Sequence, residues 1–206
     1  SGNPFTSGNN QQQRIWSYGL RNPYTIAFQP GTGKLYVNDV GASNWEEIND
    51  ATSGGKNFGW PQTEGNGSSS FSNPVYAYPH GGGVGNGCAI TGGTFFNPSS
   101  TNYPSTYVGR YFYMDFCNNW IDMLSSGGSR SNFASNIAGS ALSLVTGTDG
   151  NLYFLSRDNS AVYKIVYAGG SSAPTITNQP QSVTVAQGNS VTFSVTATGN
   201  GTISYQ

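Results

Sequence analysis

Short apolar runs separated by glycine turns recur along the first 167 residues. Three segments share one pattern, in which a Gly and a polar residue precede three apolar or aromatic residues and a polar end: Gly33–Asp39, Gly109–Asp115 and Gly150–Ser156. This pattern predicts a turn that leads into a buried β-strand. The second and third copies start about 40 residues apart, which is the length of one β-propeller blade. The first and second copies lie nearly twice as far apart, which predicts either one blade with a long insertion or two blades.

Strand-like runs before two of these turns, Thr25–Phe28 and Ala141–Val145, complete a repeated strand–turn–strand unit. We therefore predict an all-β fold for residues 1–167, in the form of a partial β-propeller of three to four blades. So few blades do not close a ring, and we expect the remaining blades before Ser1. Between the copies, residues 62–86 are mostly turn formers, and Ala89–Phe96 is typical of a strand with a bulge at its Gly-Gly pair.

The pattern changes after residue 167. Residues 168–174 are a Gly/Ser linker that ends in Pro. Over 175–206, apolar residues alternate with Thr and Ser, which is typical of sandwich strands with one buried face. The order of these runs resembles the opening strands of an immunoglobulin-like (Ig-like) domain. Because such a domain needs roughly 100 residues, we predict a truncated Ig-like β-sandwich. Its alternating positions are Val183, Val185, Val191, Phe193 and Val195.

The composition agrees with a turn-rich all-β protein and limits its partners. Of 206 residues, 29 are Gly and 10 are Pro, and only 8% are charged, whereas about 25% is usual. A net charge of -1 gives no electrostatic reason to expect nucleic acid or an anionic membrane surface as a partner. No apolar run reaches the roughly 18 residues of a transmembrane helix. The chain starts without Met or a signal peptide and stops in a strand-like run, so we expect a fragment of a longer protein.

Cys88 and Cys117 are the only cysteines. In a chain rich in Ser, Asn and Gly with few charges, a single pair fits one disulfide in an exported protein. The alternative is two buried free thiols. Each cysteine lies beside a turn at a predicted strand end, where the two Cβ atoms can approach each other, and this favours the disulfide.

Candidate chemistry is concentrated between Ile15 and Pro61. Arg21 offers five fixed donors on a turn restrained by Pro23, and it could bind a carboxylate or a planar quinone acid. The alternative for Arg21 is a structural role, in which it hydrogen-bonds loop carbonyls and holds blades together.

Two further candidates are acidic and imidazole side chains. Glu46 and Glu47 are predicted in a loop, where they could supply oxygen ligands to Ca²⁺ or form a solvated acidic surface. His80, the one histidine, precedes three glycines and is predicted on a mobile, exposed loop. It could be a general base or a ligand. No Ser-His-Asp order, CxxC, HExxH or phosphate loop accompanies it.

The series RNPYTIAF, GKLYVNDVG, WEEIN and GGKNFGWP, followed by EG, resembles the soluble glucose/sorbosone (aldose sugar) dehydrogenases that depend on pyrroloquinoline quinone (PQQ). PVYAYPH, CAITGGTFF, GRYFYMDFC and DGNLYFLS resemble the following blades of that family, so the resemblance covers about residues 3–167. It implies a six-bladed propeller that binds PQQ and Ca²⁺ at one mouth of its channel and oxidises a sugar hydroxyl. Hedgehog-interacting-protein-like members share this propeller and imply an alternative, a non-catalytic protein that binds carbohydrate or protein.

The resemblance assigns roles to individual residues. Arg21 and Asn22 match the Arg-Asn pair that contacts the quinone. The carbonyls of Gly41 and Ala42 match those that hold the cofactor's Ca²⁺. A second, structural Ca²⁺ site is matched by Glu47 and the Phe58 carbonyl.

No catalytic residue is assigned, because the family's histidine base belongs to an early blade and is not matched by His80. The family's other cofactor contacts depart from the pattern as well. Tyr24 stands where the glucose dehydrogenases have Gln, the family's Lys falls near Cys117, and its arginine pair falls near Ser140 and Leu142. Arg21 is then the main positive group for a trianionic quinone. The resemblance also implies an exported protein, extracellular or periplasmic and bacterial, whose partner is a sugar or glycan or, in the alternative, an extracellular protein.

Overall fold

The chain folds into antiparallel β-sheets joined by turns. A computed structural model describes residues 2–169 and 175–198, which contain two short 3-10 helices, Gln12–Arg14 and Ser105–Tyr107, and no α-helix. Within this described part, no helix is long and apolar enough to cross a membrane. The chain divides into two compact units, Ser1–Val166 and Tyr167–Gln206. The strands are β1 (Pro23–Phe28), β2 (Leu35–Asp39), β3 (Trp45–Asp50), β4 (Tyr76–Pro79), β5 (Ile90–Phe95), β6 (Tyr111–Asp115), β7 (Trp120–Leu124), β8 (Arg130–Ser135), β9 (Ala141–Thr146), β10 (Leu152–Ser156), β11 (Ala161–Ile165), β12 (Thr175–Asn178) and β13 (Thr196–Thr198).

Three sheets follow one another in the first unit. Strands β1–β4 form a four-stranded sheet in chain order, β5–β8 form a second, and β9–β11 form a three-stranded third. All neighbours within them are antiparallel. Successive meandering sheets of this kind are the blades of a β-propeller. The predicted all-β partial propeller is thus confirmed, with three blades, here called blades 1 to 3.

The repeated glycines mark one turn per blade. Gly33, Gly109 and Gly150 have φ values of 73°, 83° and 74°, which a residue with a side chain rarely adopts. Each precedes the second strand of its blade. The wide first spacing comes from the long segment between β3 and β4 of blade 1, so the alternative of two blades in that interval is wrong.

The first strands of the three blades lie side by side. The Thr25 hydroxyl donates to the Thr91 carbonyl, and the Thr91 hydroxyl donates to the Ala141 carbonyl at 2.6 Å. Because these bonds join the beginnings of β1, β5 and β9, all three strands begin on one side. We call this side, where β2, β6 and β10 also end, the entry edge. The register of β5 shifts between Ile90 and Gly93, which confirms the predicted bulge.

An aromatic core fills the space between blades 1 and 2. The Tyr111 hydroxyl, fully buried there, donates to Asn38 Oδ1 at 2.8 Å, and Asn38 Nδ2 donates to the Gly92 carbonyl at 3.0 Å. These bonds pair the buried polar side-chain atoms of Asn38 and the Tyr111 hydroxyl. The buried residues of this cluster are Tyr36, Val40, Ile48, Tyr78, Ile90, Phe95, Tyr111, Tyr113, Trp120 and Leu124.

Asp115 holds the entry edge of blade 2. It is fully buried at the end of β6. Its carboxylate accepts five hydrogen bonds of 2.9–3.1 Å, from the amides of Cys88, Ala89, Cys117 and Asn118 and from the Tyr78 hydroxyl. Cys88 and Cys117 form the predicted disulfide across the same edge.

The second unit contains one pair of short strands within 175–198, where β12 pairs with β13. Residues 179–195 form no strand, so the strands predicted around Val183, Val185, Val191, Phe193 and Val195 are not found there. Their side chains are 37–58% exposed. Alternating strands form when a second sheet covers their apolar face, and the described residues of this unit supply none. Residues 170–174 of the predicted linker and residues 199–206 lie outside the described residues.

Replacing Asp115 by Ala should lower the free energy of unfolding by about 3 kcal/mol or more, because hydrogen bonds to a charged group are worth about 1.5–3 kcal/mol each and the buried donors would be left unpaired. Urea denaturation measures this loss. Asp158→Ala is the control, since Asp158 is exposed and bonds the Ser140 hydroxyl, and its effect should stay within about 0.5 kcal/mol. Equal losses in the two variants would contradict the role given to Asp115.

Candidate functional site

Residues that the resemblance assigns to cofactor and metal binding meet at the entry edge of blade 1. Arg21, Gly41, Glu47 and Phe58 line one small cavity of about 10 Å³, room for about one water molecule or ion. Asn22 and Ala42 adjoin it in sequence but do not line it. The remaining lining residues are Gly19, Asp39, Trp60, Thr63 and Glu64.

Asp39 orients the Arg-Asn-Pro turn. Its two carboxylate oxygens accept the amides of Arg21 and Asn22, at 2.9 and 2.7 Å. Burial raises the pKa of Asp39, and these two amides oppose that shift without cancelling it. The sequence did not single out Asp39, although it is the polar end of the first repeat.

The Arg21 side chain lies against the next loop. Its Nη1 donates to the carbonyls of Val40 and Gly41, at 3.0 and 2.6 Å, and its guanidinium lies 5.6 Å from the ring centre of Trp60. These are the loop-carbonyl contacts of the structural alternative. Arg21 is exposed, and its other guanidinium donors remain able to face an anion.

Glu64 caps the loop that carries Gly41 and Ala42. Its carboxylate accepts the Ala42 amide, the Ser43 amide at 3.4 Å and the Asn44 amide at 3.2 Å. A Cβ on Gly41 would lie 1.7 Å from the Trp45 carbonyl oxygen and 2.7 Å from Glu64 Oε1, so the backbone at Trp45 leaves room only for glycine. Glu64 was not among the residues singled out, although it belongs to the WPQTEG run.

Glu46 and Glu47 lie in strand β3 and are buried, with 0% and 7% exposure. Their predicted place in a loop is wrong, and so is the alternative of a solvated acidic surface. Neighbouring strand residues face opposite sides, and each carboxylate finds its own donors. Glu46 contacts His80 Nε2 at 2.7 Å and accepts the Ile90 amide at 2.9 Å. Glu47 accepts the Gly65 amide at 2.5 Å and Asn49 Nδ2 at 3.1 Å.

His80 is half-buried, and its predicted position on an exposed, mobile loop is wrong. Its ring contacts the buried Glu46, and its amide donates to the Asn44 carbonyl at 2.9 Å. It follows β4, the outermost strand of blade 1, and does not line the cavity at Arg21. His80 therefore joins elements of blade 1 and lies outside the group of candidate cofactor residues.

The oxygen atoms around Glu47 are suitable ligands for a hard cation. The Asn49 Oδ1 atom is buried without a hydrogen-bond partner, and Asn49 shares a face of β3 with Glu47 because the two are two residues apart. Burial, with smaller contributions from the carboxylates of Asp39 and Glu64, raises the pKa of Glu47. Buried carboxylates and a free amide oxygen would be stabilised by Ca²⁺, which prefers oxygen ligands. This is the oxygen chemistry that the assigned calcium site requires.

A second close group of metal-ligating types does not fit a metal. Cys88, Asp115 and Cys117 place ligand atoms within 4.8 Å of one another, which no other trio among the described residues does. The two sulfurs are joined in the disulfide, and the Asp115 oxygens are taken up by main-chain amides. This group therefore holds the edge together and leaves no thiolate for an ion.

Arg157 brings a second positive charge to the entry edge. It follows β10, and its amide donates to the Ser140 carbonyl at 3.0 Å. Its exposed guanidinium lies 6.0 Å from the ring centre of Phe116, next to Cys117. Arg157 thus lies near both Cys117 and Ser140, the positions at which the resemblance predicts positive groups that this chain lacks. In the sequence, the only sign of Arg157 is its place directly after Ser156, the polar end of the third repeat.

The pH dependence of stability should report the burial of Glu46. Burial is the largest effect and raises the pKa of Glu46 above its ordinary value of 4.5, although the Ile90 amide and His80 oppose it. The folded protein therefore holds this proton more tightly than the unfolded chain, and the resulting stability is lost as pH rises through the folded-state pKa. We expect the free energy of unfolding to fall with rising pH above about 4.5 and to fall less in Glu46→Gln. Urea denaturation between pH 4 and 8 measures both slopes. Asp39 and Glu47 are present in both proteins, so identical slopes would contradict the expectation.

Comparisons with known proteins agree with the fold and the motif series. A family model described as Glucose / Sorbosone dehydrogenase matches residues 1–104. Aldose sugar dehydrogenase YliI of Escherichia coli (strain K12) is 42% identical over 59 residues, which are 29% of this chain and 16% of that protein. HIPL1 protein of Arabidopsis thaliana is 31% identical over 137 residues, which cover 58% of this chain and 19% of that protein.

Solved structures show the same fold. A crystal structure of glucose dehydrogenase superposes with a TM-score of 0.66 at 20% identity, over 80% of this chain and 50% of that one. The soluble aldose sugar dehydrogenase of Escherichia coli in its apo-form gives 0.61 at 25% identity, over 79% and 49%. The chain thus spans about half the length of these structures and under a fifth of the two sequence relatives. Since the family model covers half of the chain, this protein belongs to the glucose/sorbosone dehydrogenase family.

Proposed function

We propose that this chain is part of an exported, PQQ- and Ca²⁺-dependent aldose dehydrogenase that oxidises a sugar hydroxyl. One observation carries the proposal: Arg21, Gly41, Glu47 and Phe58, which the resemblance assigns to quinone and calcium binding, line one cavity at the entry edge. An anion-binding group and a cation-binding group therefore lie side by side at the entry edge. A cofactor that combines carboxylates with a bound Ca²⁺ needs this combination. An aldose sugar dehydrogenase from Streptomyces coelicolor, in its PQQ-bound form, shares the fold with a TM-score of 0.58 at 19% identity.

The residues of this chain would bind and orient the cofactor. Arg21 would pair with a cofactor carboxylate, and Asn22, exposed beside it, would offer an amide. Gly41 and Ala42 would direct their carbonyls to Ca²⁺, and Glu47 and the Phe58 carbonyl would hold a structural Ca²⁺. When bound, PQQ would accept hydride from the sugar, and Ca²⁺ would raise its electrophilicity.

The proton of the sugar hydroxyl is not assigned to a residue of this chain. His80 is its one histidine, and the ring nitrogen Nε2 already contacts the buried carboxylate of Glu46. A base must reach the proton that it removes within hydrogen-bond distance. Since His80 does not line the cavity at Arg21, we give it a structural role.

A second candidate is a non-catalytic propeller that binds carbohydrate or protein outside the cell. It is favoured by the chemistry of blades 2 and 3 at the entry edge, where a disulfide and the neutral Ser140 and Leu142 stand near positions that carry positive charge in the sugar dehydrogenases. The match to HIPL1 protein supports it. In this reading, the Ig-like module proposed at 175–206 is a spacer or a second adhesive unit.

Reconstitution of the full-length protein with PQQ and Ca²⁺ separates the two candidates. Dye reduction by a panel of aldoses supports the dehydrogenase. Absence of turnover with every sugar, together with absence of PQQ binding in a titration, overturns it and favours the binding protein. Tight PQQ binding counts against the non-catalytic candidate.

Arg157 should contribute to PQQ affinity, as the second positive group at the entry edge. We expect Arg157→Ala to weaken PQQ binding by up to about fivefold, since an exposed ion pair is worth up to about 1 kcal/mol. Arg157→Lys should keep most of the affinity because it keeps the charge. Fluorescence titration with PQQ measures this effect, with Arg110→Ala as the control, because Arg110 follows the Gly109 turn away from the entry edge. If the Arg157 and Arg110 variants bind PQQ equally, Arg157 does not contact the cofactor.

Calcium should stabilise the folded protein through Glu47, because a ligand that binds only the native state raises its stability by about 2.7 kcal/mol at one hundred times its dissociation constant. We expect a higher melting temperature in CaCl₂ than in EDTA and a smaller difference in Glu47→Gln. Differential scanning calorimetry measures both, with Asp149→Asn in blade 3 as the control. A wild-type chain that melts at the same temperature in both buffers would remove calcium from the proposal.

A further inference from the structure

We infer that Glu64 is a positioning residue that turns the carbonyls of Gly41 and Ala42 toward a bound cation. This inference rests on the proposed function and assigns to it a residue outside the set that the resemblance supplies.

Glu64 fixes the orientation of two successive peptide units. The N–H and C=O of one peptide unit point in opposite directions, because the unit is planar and trans. The Ala42 N–H shares its unit with the Gly41 carbonyl, and the Ser43 N–H shares its unit with the Ala42 carbonyl. Glu64 accepts both of these N–H groups. The two carbonyls assigned to Ca²⁺ must therefore point away from Glu64.

The far side of the loop shows where those carbonyls point. The Gly41 carbonyl accepts a bond from the Arg21 guanidinium at 2.6 Å, so it already faces a cationic group. The carbonyl of the preceding peptide unit has the same partner, since the Val40 carbonyl accepts Arg21 Nη1 at 3.0 Å. Two successive carbonyls thus face the Arg21 guanidinium, on the side of the loop away from Glu64.

The chemistry explains why a carboxylate suits this position. An N–H that donates to an anion polarises its peptide unit and places more negative charge on the carbonyl oxygen. The same contact fixes the direction of that oxygen before the ion arrives. Groups that orient metal ligands in this way typically change metal affinity by about 10- to 100-fold when they are removed. Asn44 is held as well, through its amide and through Nδ2 at 3.4 Å, so the whole turn is fixed by one side chain.

Glu64→Gln tests the inference, because it keeps the side-chain shape and removes the charge. The matched control is Asp50→Asn. Asp50 also accepts a nearby amide, that of Thr52 at 2.8 Å, but it ends β3 on the side away from the entry edge. Two measurements are made on the whole chain. The first is amide hydrogen exchange of Ala42, Ser43 and Asn44 without metal. The second follows the ¹⁵N chemical shifts of Ala42 and Ser43 during titration with CaCl₂.

We expect faster exchange at the three amides in Glu64→Gln, and a Ca²⁺ dissociation constant raised about 10- to 100-fold when read at Ala42 and Ser43. Asp50→Asn should change neither. Melting temperatures of the two variants are compared, since a loss of Ca²⁺ affinity without a matching loss of stability distinguishes positioning from a general structural role.

The two possible failures are distinguishable. Unchanged amide exchange in Glu64→Gln, or unchanged Ca²⁺ affinity at Ala42 and Ser43, overturns the role of Glu64 and leaves the proposed calcium site standing. A wild-type chain in which CaCl₂ leaves both ¹⁵N shifts unmoved overturns the proposed calcium site at Gly41 and Ala42, whatever the exchange rates are.

Discussion

The entry edge depends on one repeated interaction, in which the last residue of the second strand of a blade bonds the main chain just before the first strand. In blade 1, Asp39 accepts the amides of Arg21 and Asn22. In blade 2, Asp115 accepts those of Cys88 and Ala89. In blade 3 the equivalent position is a serine, and its hydroxyl donates to the Gly139 carbonyl at 2.7 Å. Each bond fixes where a loop enters the edge, and the groups that could bind a cofactor sit on those loops.

The functional groups at the entry edge differ from blade to blade, because the hydrogen bonds from the strand ends fix where each loop enters the edge and do not restrict its other residues. Blade 1 offers Arg21, turned loop carbonyls and buried carboxylates, which suits an anion and a hard cation together. Blade 2 closes its edge with a disulfide. Blade 3 presents Arg157 on the surface. The groups proposed to bind a cofactor are therefore concentrated at blade 1, and blade 3 adds one positive charge, that of Arg157.

The sequence predicted the architecture well because the repeat has a simple physical basis. A glycine with positive φ, an apolar strand and a polar end recur once per blade, so the repeat predicted a partial propeller of three to four blades, and the Gly-Gly pair predicted the bulge of β5. The motif series also named Arg21, Gly41, Glu47 and Phe58, which it assigned to separate cofactor and structural calcium sites, and the structure shows that they line one cavity. The environment of side chains that are buried and hydrogen-bonded could not be predicted in this way. Glu46 and Glu47 were predicted in a loop, and carboxylates are rarely buried unless they are paired. Their partners include the amides of Ile90 and Gly65, which are distant in sequence. The contacts of Glu64 and Arg157 likewise arise from chain segments that meet only in the fold.

In the second unit, alternation alone predicted strands at Val183–Val195 without the opposing sheet that such strands require.

The disulfide between Cys88 and Cys117 joins two segments that Asp115 already holds through four main-chain amides. In the folded blade the covalent bond and the hydrogen bonds impose nearly the same restraint, so the bond adds little to the shape of the edge. Its separate effect falls on the unfolded chain, where it closes a loop between residues 29 positions apart and reduces the conformational freedom that folding must overcome. A reduced chain would therefore fold to the same entry edge from a larger set of unfolded conformations. The disulfide lowers the entropy cost of folding and leaves the folded structure of the edge unchanged.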